Sequence, residues 1–82
     1  MGGFGVKVRV AVFGSLRRYF DNATGTAVVE IQPGLTVVGL ADRLGMERKY
    51  VGFVCVNGTV VSDDTVLQDG DEVSFFEPVS GG

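Results

Sequence analysis

Chemistry near neutral pH needs a group that exchanges a proton, attacks an electrophile or holds a metal, and this chain carries few of them. It has no histidine, which removes His-based triads and imidazole metal sites. Its one cysteine, Cys55, cannot form an internal disulfide and lies inside a strand-like run, which predicts a buried, inert thiol. The carboxylates Asp63-Asp64 and Asp69-Gly70-Asp71-Glu72 stand among turn residues without EF-hand spacing and read as solvated turns. No glycine is followed by lysine, so no loop of the P-loop type can cradle a nucleotide.

What remains is the stretch Phe75-Phe76-Glu77-Pro78-Val79-Ser80-Gly81-Gly82. A strand-like run meets a proline, which lacks a backbone donor and biases the residue before it to extended geometry, so pairing should end near Glu77. Residues 77–82 then read as a flexible tail with a reach of ~20 Å when extended. At its tip is an α-carboxylate, anionic at pH 7 and a poor electrophile. Attack by that carboxylate on the α-phosphate of ATP in a separate enzyme would make an acyl-adenylate. A sulfur donor displacing AMP would leave a thiocarboxylate. Gly81 and Gly82 suit such a route, because a side chain at either position would obstruct entry into a narrow, dry active site. A Gly-Gly end on its own reads first as an inert terminus, so the elements before it must decide.

Val6 to Phe13 reads as a strand with Val6, Val8, Val10 and Val12 on one face. Ser15 is placed to cap a short helix carrying Leu16, Tyr19 and Phe20 inward and Arg17 and Arg18 outward. After the loop 21–25, Thr26 to Ile31 is a second strand, antiparallel to the first, ended by Pro33-Gly34. Thr36 caps a helix with Val37, Leu40, Ala41 and Leu44 on one face and Gly45 as its stop, weakened by Gly39. Residues 46–50 connect to a strand Phe53–Val56, and Asn57-Gly58 turns it into the return strand Thr59–Val61. Ser62 to Thr65 is a turn, Val66 and Leu67 are expected apolar anchors, and Asp69-Gly70-Asp71 turns into the last strand, Glu72 to Phe76. The order β-β-α-β-β-β predicts an α+β fold, a sheet with one main helix on a single face and the other face open to solvent.

Two aromatics then fall out of phase. Phe13 and Phe76 alternate with the core-facing residues of their own strands, which puts both on the open face. Together they make either a patch for a partner, rimmed by Arg17, or a small second core under the Ser15–Phe20 helix.

Composition narrows the partners. Eighty-two residues make one domain, 1–82, and 45% hydrophobic residues are enough for a modest core. A formal charge of −3 argues against direct binding of a nucleic-acid backbone. The glycine-rich start is no signal peptide, and no apolar run approaches the ~18 residues of a membrane span, so a cytoplasmic protein is expected.

The run Val56-Asn57-Gly58-Thr59-Val60-Val61, then Leu67 through Phe76 with Asp69-Gly70-Asp71-Glu72-Val73, and the end Pro78-Val79-Ser80-Gly81-Gly82 resemble the MoaD/ThiS sulfur carriers. Val10 to Gly14 with Leu16-Arg17 is similar to the amino-terminal strand and helix start of MoaD, so the resemblance spans nearly the whole chain. It implies a ubiquitin-like β-grasp fold. It also implies that Gly82 is adenylated by an E1-like enzyme of the MoeB/ThiF type, which uses the ATP, and receives sulfur from a donor protein. In MoaD the sulfur goes on to molybdopterin, in molybdenum cofactor biosynthesis, on an assembly with the MoaE large subunit. This chain would be the small subunit of that synthase, binding no cofactor itself and not catalytic alone. The family's partner-facing surface maps onto Phe13, Arg17, Val60 and Phe76, with Val79 in the tail. Glu77 departs from the family, which commonly shows a second proline there, and puts a charge near the docking surface. Alternatives that share the tail are a ThiS-like carrier for thiazole synthesis, a carrier for tRNA thiolation and a ubiquitin-like protein modifier. A β-grasp adaptor with an inert tail is a further alternative.

Overall fold

The computed structural model describes residues 5–20 and 24–78. Five strands form one sheet: β1 (Val6–Val12), β2 (Thr26–Ile31), β3 (Phe53–Val56), β4 (Thr59–Val61) and β5 (Glu72–Phe76). Their order in space is β2-β1-β5-β3-β4. β1 pairs antiparallel with β2, placing Val8 opposite Val29 and Val10 opposite Ala27. Its other edge takes the last strand in parallel, with Val10 opposite Val73 and Val12 opposite Phe75. β3 completes the centre by antiparallel pairing with β5 and carries β4 outside it. The β3–β4 hairpin closes through Asn57 (φ 53°) and Gly58 (φ 85°), two consecutive left-handed residues that match the twist of the strands they join.

The one α-helix among the described residues, α1 (Val37–Arg43), begins where the Thr36 hydroxyl accepts the Gly39 N–H at 3.2 Å. It ends in a Schellman arrangement, in which the Gly45 N–H donates to the Asp42 carbonyl and the Met46 N–H to that of Ala41. Gly45 takes φ 78°, and Met46 packs back into the core at 3% exposure. Gly39 has a packing reason: a Cβ there would lie 2.7 Å from a Leu35 methyl that covers the helix.

Period-2 alternation fills the space between helix and sheet. Val8, Val10, Val12, Val54, Val73 and Phe75 from the strands meet Val37, Leu40 and Ala41 of α1, with Leu16, Ile31, Met46 and Leu67 closing the margins. Burial of Phe75, the largest of these and fully enclosed, stabilises the fold by roughly 3 kcal/mol. No described helix is long and apolar enough to cross a membrane.

Three local expectations change. β1 ends at Val12, because Gly14 (φ 66°) turns the chain, although Phe13 stays extended and donates its N–H to the Phe75 carbonyl at 3.1 Å. The Ser15–Phe20 segment is a 3-10 helix, Gly14–Tyr19, whose N-cap residue is Phe13 and which has no local side-chain cap, so Ser15 is not its cap. Of the pair after the Ser62–Thr65 turn, Leu67 is the anchor at 2% exposure while Val66 is 49% exposed. Val66 bridges to Thr36 through its backbone, and successive residues of an extended segment point to opposite sides, so only one of the two can reach the core.

Candidate functional site

The register of the three central strands assembles the open face row by row. Phe53 pairs with Phe76 across β3 and β5, and the Val12–Phe75 pairing brings Phe13 alongside on the β1 side. The Phe13 and Phe76 rings stack with centroids 4.7 Å apart and planes 5° from parallel. Phe53 and Phe76 stack at 4.6 Å and 11°. Centroids this far apart in near-parallel rings mean an offset stack, which the ring quadrupole favours over an eclipsed one. The next row runs Ala11, Ser74, Cys55 and Val60. The row beyond it is polar, with Arg9 and Glu72 paired at 3.2 Å, a solvent-exposed contact of little energetic weight.

Phe13 is 44% exposed, Phe53 42% and Val60 63%. The aromatics therefore form a surface patch, and Leu16, not Phe13 or Phe76, is the residue buried at the 3-10 helix. Phe53 was missed from the sequence, although the same phase argument applies to it: it alternates with Val54, which is core. Cys55 departs from the expectation of a buried thiol, because its register puts it on the open face between Ser74 and Val60, half-buried. Arg17 is exposed on the 3-10 helix, with its stem and Nε over Gly25.

Where β5 ends, the chain meets two loops. The Gly52 N–H donates to the Phe76 carbonyl at 2.6 Å. Gly52 also lies so close to the following backbone that a Cβ on it would sit 2.7 Å from the Glu77 carbonyl oxygen and the Pro78 Cα. On the other side the Glu77 carboxylate accepts the Ser15 N–H, supplying from 62 residues away the capping group that the 3-10 helix lacks locally. The Ser15 backbone donor, followed by its hydroxyl, holds the Glu77 carboxyl below the usual glutamate range, against a small opposing effect of desolvation. Glu77 and Pro78 are thus tied to the domain and do not begin a free tail. Val79, Gly81 and Gly82 lie outside the described residues.

Elsewhere the acidic turns are occupied by protein donors. Asp69 accepts the Lys7 N–H, and Asp71 accepts from the Gln68 backbone and the Asn57 side chain. Asp63 takes the Arg48 guanidinium.

A mixed sheet with parallel first and last strands at its centre, gripping one helix, is the ubiquitin-like β-grasp. The model of the ThiS family matches residues 10–82, and the chain belongs to that family, the ThiS/MoaD group. It is 38% identical over 85 aligned residues to the molybdopterin synthase sulfur carrier subunit of Mycobacterium tuberculosis, covering 94% of this chain and 99% of that one. Among solved structures, a putative molybdopterin converting factor subunit 1 from Pyrococcus furiosus superposes with a TM-score of 0.71 at 30% identity, over 90% of this chain and 99% of that one. The fold also matches a chain in the complex of molybdopterin-converting factor subunits 1 and 2 from Helicobacter pylori, at a TM-score of 0.62 and 22% identity, over 94% and 100% of the two chains. The chain is therefore a homologue of molybdopterin synthase sulfur carrier subunits.

Proposed function

We propose that this protein carries sulfur on the carboxylate of Gly82 for molybdopterin synthesis. The observation that carries the proposal is the 38% identity to a molybdopterin synthase sulfur carrier subunit, which extends across 94% of the chain. In the first step a Gly82 carboxylate oxygen attacks the α-phosphorus of ATP on an E1-like activating enzyme, and pyrophosphate leaves. Sulfur supplied at the level of hydrosulfide then attacks the acyl carbon and expels AMP, leaving a thiocarboxylate. The thiocarboxylate sulfur attacks a carbon of the molybdopterin precursor and displaces an oxygen substituent from it. Water then cleaves the acyl carbon–sulfur bond of the resulting thioester, which leaves the sulfur on the product and returns Gly82 to a carboxylate. ATP belongs to the activating enzyme, and this chain provides the carrier group and its docking surface but no other catalytic group.

The stacked Phe13, Phe76 and Phe53, with Val60 beside them, are the docking surface in this proposal. They stand at the end of the sheet where β5 gives way to the last six residues, so a partner seated there lies within reach of Gly82. A MoaE-like large subunit is the partner that fits, as the Helicobacter pylori complex joins the two subunits of the converting factor. Gly81 supplies the second residue without a side chain behind the reacting group, Val79 a further apolar contact, and Arg17 a charge on the adjoining 3-10 helix.

Intact-mass spectrometry after incubation with ATP, the cognate activating enzyme and a sulfide source tests this directly. The mass should rise by the difference between one sulfur and one oxygen. Deletion of Gly82 should abolish the rise and leave the melting temperature unchanged. A wild-type chain that gains no mass refutes the proposal.

A further inference from the structure

The contacts around Glu77 lie outside the aromatic stack, and the carrier chemistry leaves them without a role. Pro78 fixes its own φ and restricts Glu77 to extended geometry. Glu77 is then held from two sides, by the Ser15 N–H on its carboxylate and by Gly52 against its carbonyl. Both walls are glycines, Gly14 in the left-handed region at φ 66° and Gly52 against backbone. A Cβ at Gly14 would fall inside the Glu77 carboxylate, and one at Gly52 would press on the backbone of residues 77 and 78. Gly52 is not in the left-handed region, so close approach alone explains a glycine there. The walls are also tied to one another. The Glu47 N–H meets the Tyr19 hydroxyl at 3.5 Å, and the Arg18 guanidinium lies 4.5 Å above the Tyr50 ring.

We infer that Glu77, seated between Gly14 and Gly52, is a positioning residue that fixes where the carboxyl-terminal segment leaves the domain and so where Gly82 is presented. The inference rests on the carrier function proposed above. With the chain held at Pro78, four residues remain beyond it, a contour of ~14 Å; released back to Phe76, six remain, ~20 Å. The volume open to the terminal carboxylate grows about 3-fold, and its effective concentration in a docked active site falls about 2- to 3-fold. Docking through the aromatic patch is untouched, so the loss falls on turnover and not on KM.

Two measurements on the full chain test this. Amide hydrogen exchange at Ser15, read without any partner, should speed up about 2- to 10-fold in Glu77→Ala and return to the wild-type rate in Glu77→Gln, whose carbonyl still accepts the N–H. Adenylation by the activating enzyme should show kcat lowered about 2- to 3-fold at constant KM in Glu77→Ala and in Gly52→Ala, with Glu77→Gln again restored. Unchanged Ser15 exchange in Glu77→Ala overturns the clamp. Faster exchange with unchanged kcat overturns its positioning role. A wild-type chain that is never adenylated refutes the carrier function instead, while Ser15 exchange still decides the clamp.

Discussion

Replacing Phe76 by alanine removes the middle ring of a three-ring stack and separates docking from folding. Phe76 touches Phe13 at 4.7 Å and Phe53 at 4.6 Å, so both stacked pairs are lost at once. Each such pair is worth ~0.5–1.5 kcal/mol beyond its buried area, which puts the cost near 2 kcal/mol. The ring is half-buried, so no core cavity forms and the larger penalties of core truncation do not apply. A domain of this length holds ~4–12 kcal/mol in all, and the variant should stay folded. Binding should suffer more in proportion. A central aromatic anchor contributes ~2 kcal/mol or more, so the Kd for a MoaE-like large subunit should rise roughly 30-fold. Urea denaturation gives the first quantity and isothermal titration calorimetry the second. A Phe13→Ala, Phe76→Ala double-mutant cycle should return a coupling of ~0.5–1.5 kcal/mol. Val28→Ser is the control, because Val28 is 64% exposed and pairs with Arg9 at the polar end of the same sheet. If Phe76→Ala weakens binding no more than Val28→Ser does, the aromatic face is not the docking surface.

Phe75→Ala, one residue earlier on the opposite face, should cost ~3–5 kcal/mol in urea denaturation, since the ring is fully enclosed; a loss below 1 kcal/mol would contradict its place at the centre of the core. The Glu77 carboxyl should titrate below the ordinary glutamate value in a carbon-detected NMR titration, because the Ser15 donors favour its charged form. Its folded value is depressed, so its contribution to stability is present above the unfolded glutamate value and is lost as pH falls through the folded one. Glu77→Gln should lack that acid-range dependence, and a Glu77 titration at or above the ordinary value would break the assignment.

Much of the fold was legible because hydrophobic period and turn chemistry are local. The valines of β1, the Thr36 cap, the Gly45 stop and the Asn57-Gly58 turn each act within a few residues, and each element formed where its pattern placed it. The placement of Phe13 and Phe76 on the open face was legible for the same reason, since alternation along one strand fixes which side a residue takes. Phe53 obeys the same rule, alternating with the core residue Val54 in the four-residue β3.

What the sequence determined by itself was therefore the inventory: an α+β chain, two strands with aromatics out of phase, no histidine and a single cysteine. Tertiary structure decided which of these residues meet. Parallel pairing of β1 with β5 joins positions more than 60 residues apart and turns separate phenylalanines into one stack. It also carries Glu77 to the start of the 3-10 helix, where a distant carboxylate serves as the cap that Ser15 was expected to supply. The antiparallel pairing of β3 with β5 sets Cys55 beside Ser74 on the open face, while its neighbour Val54 takes the core side. Such contacts depend on strand order and register, which local periodicity does not encode.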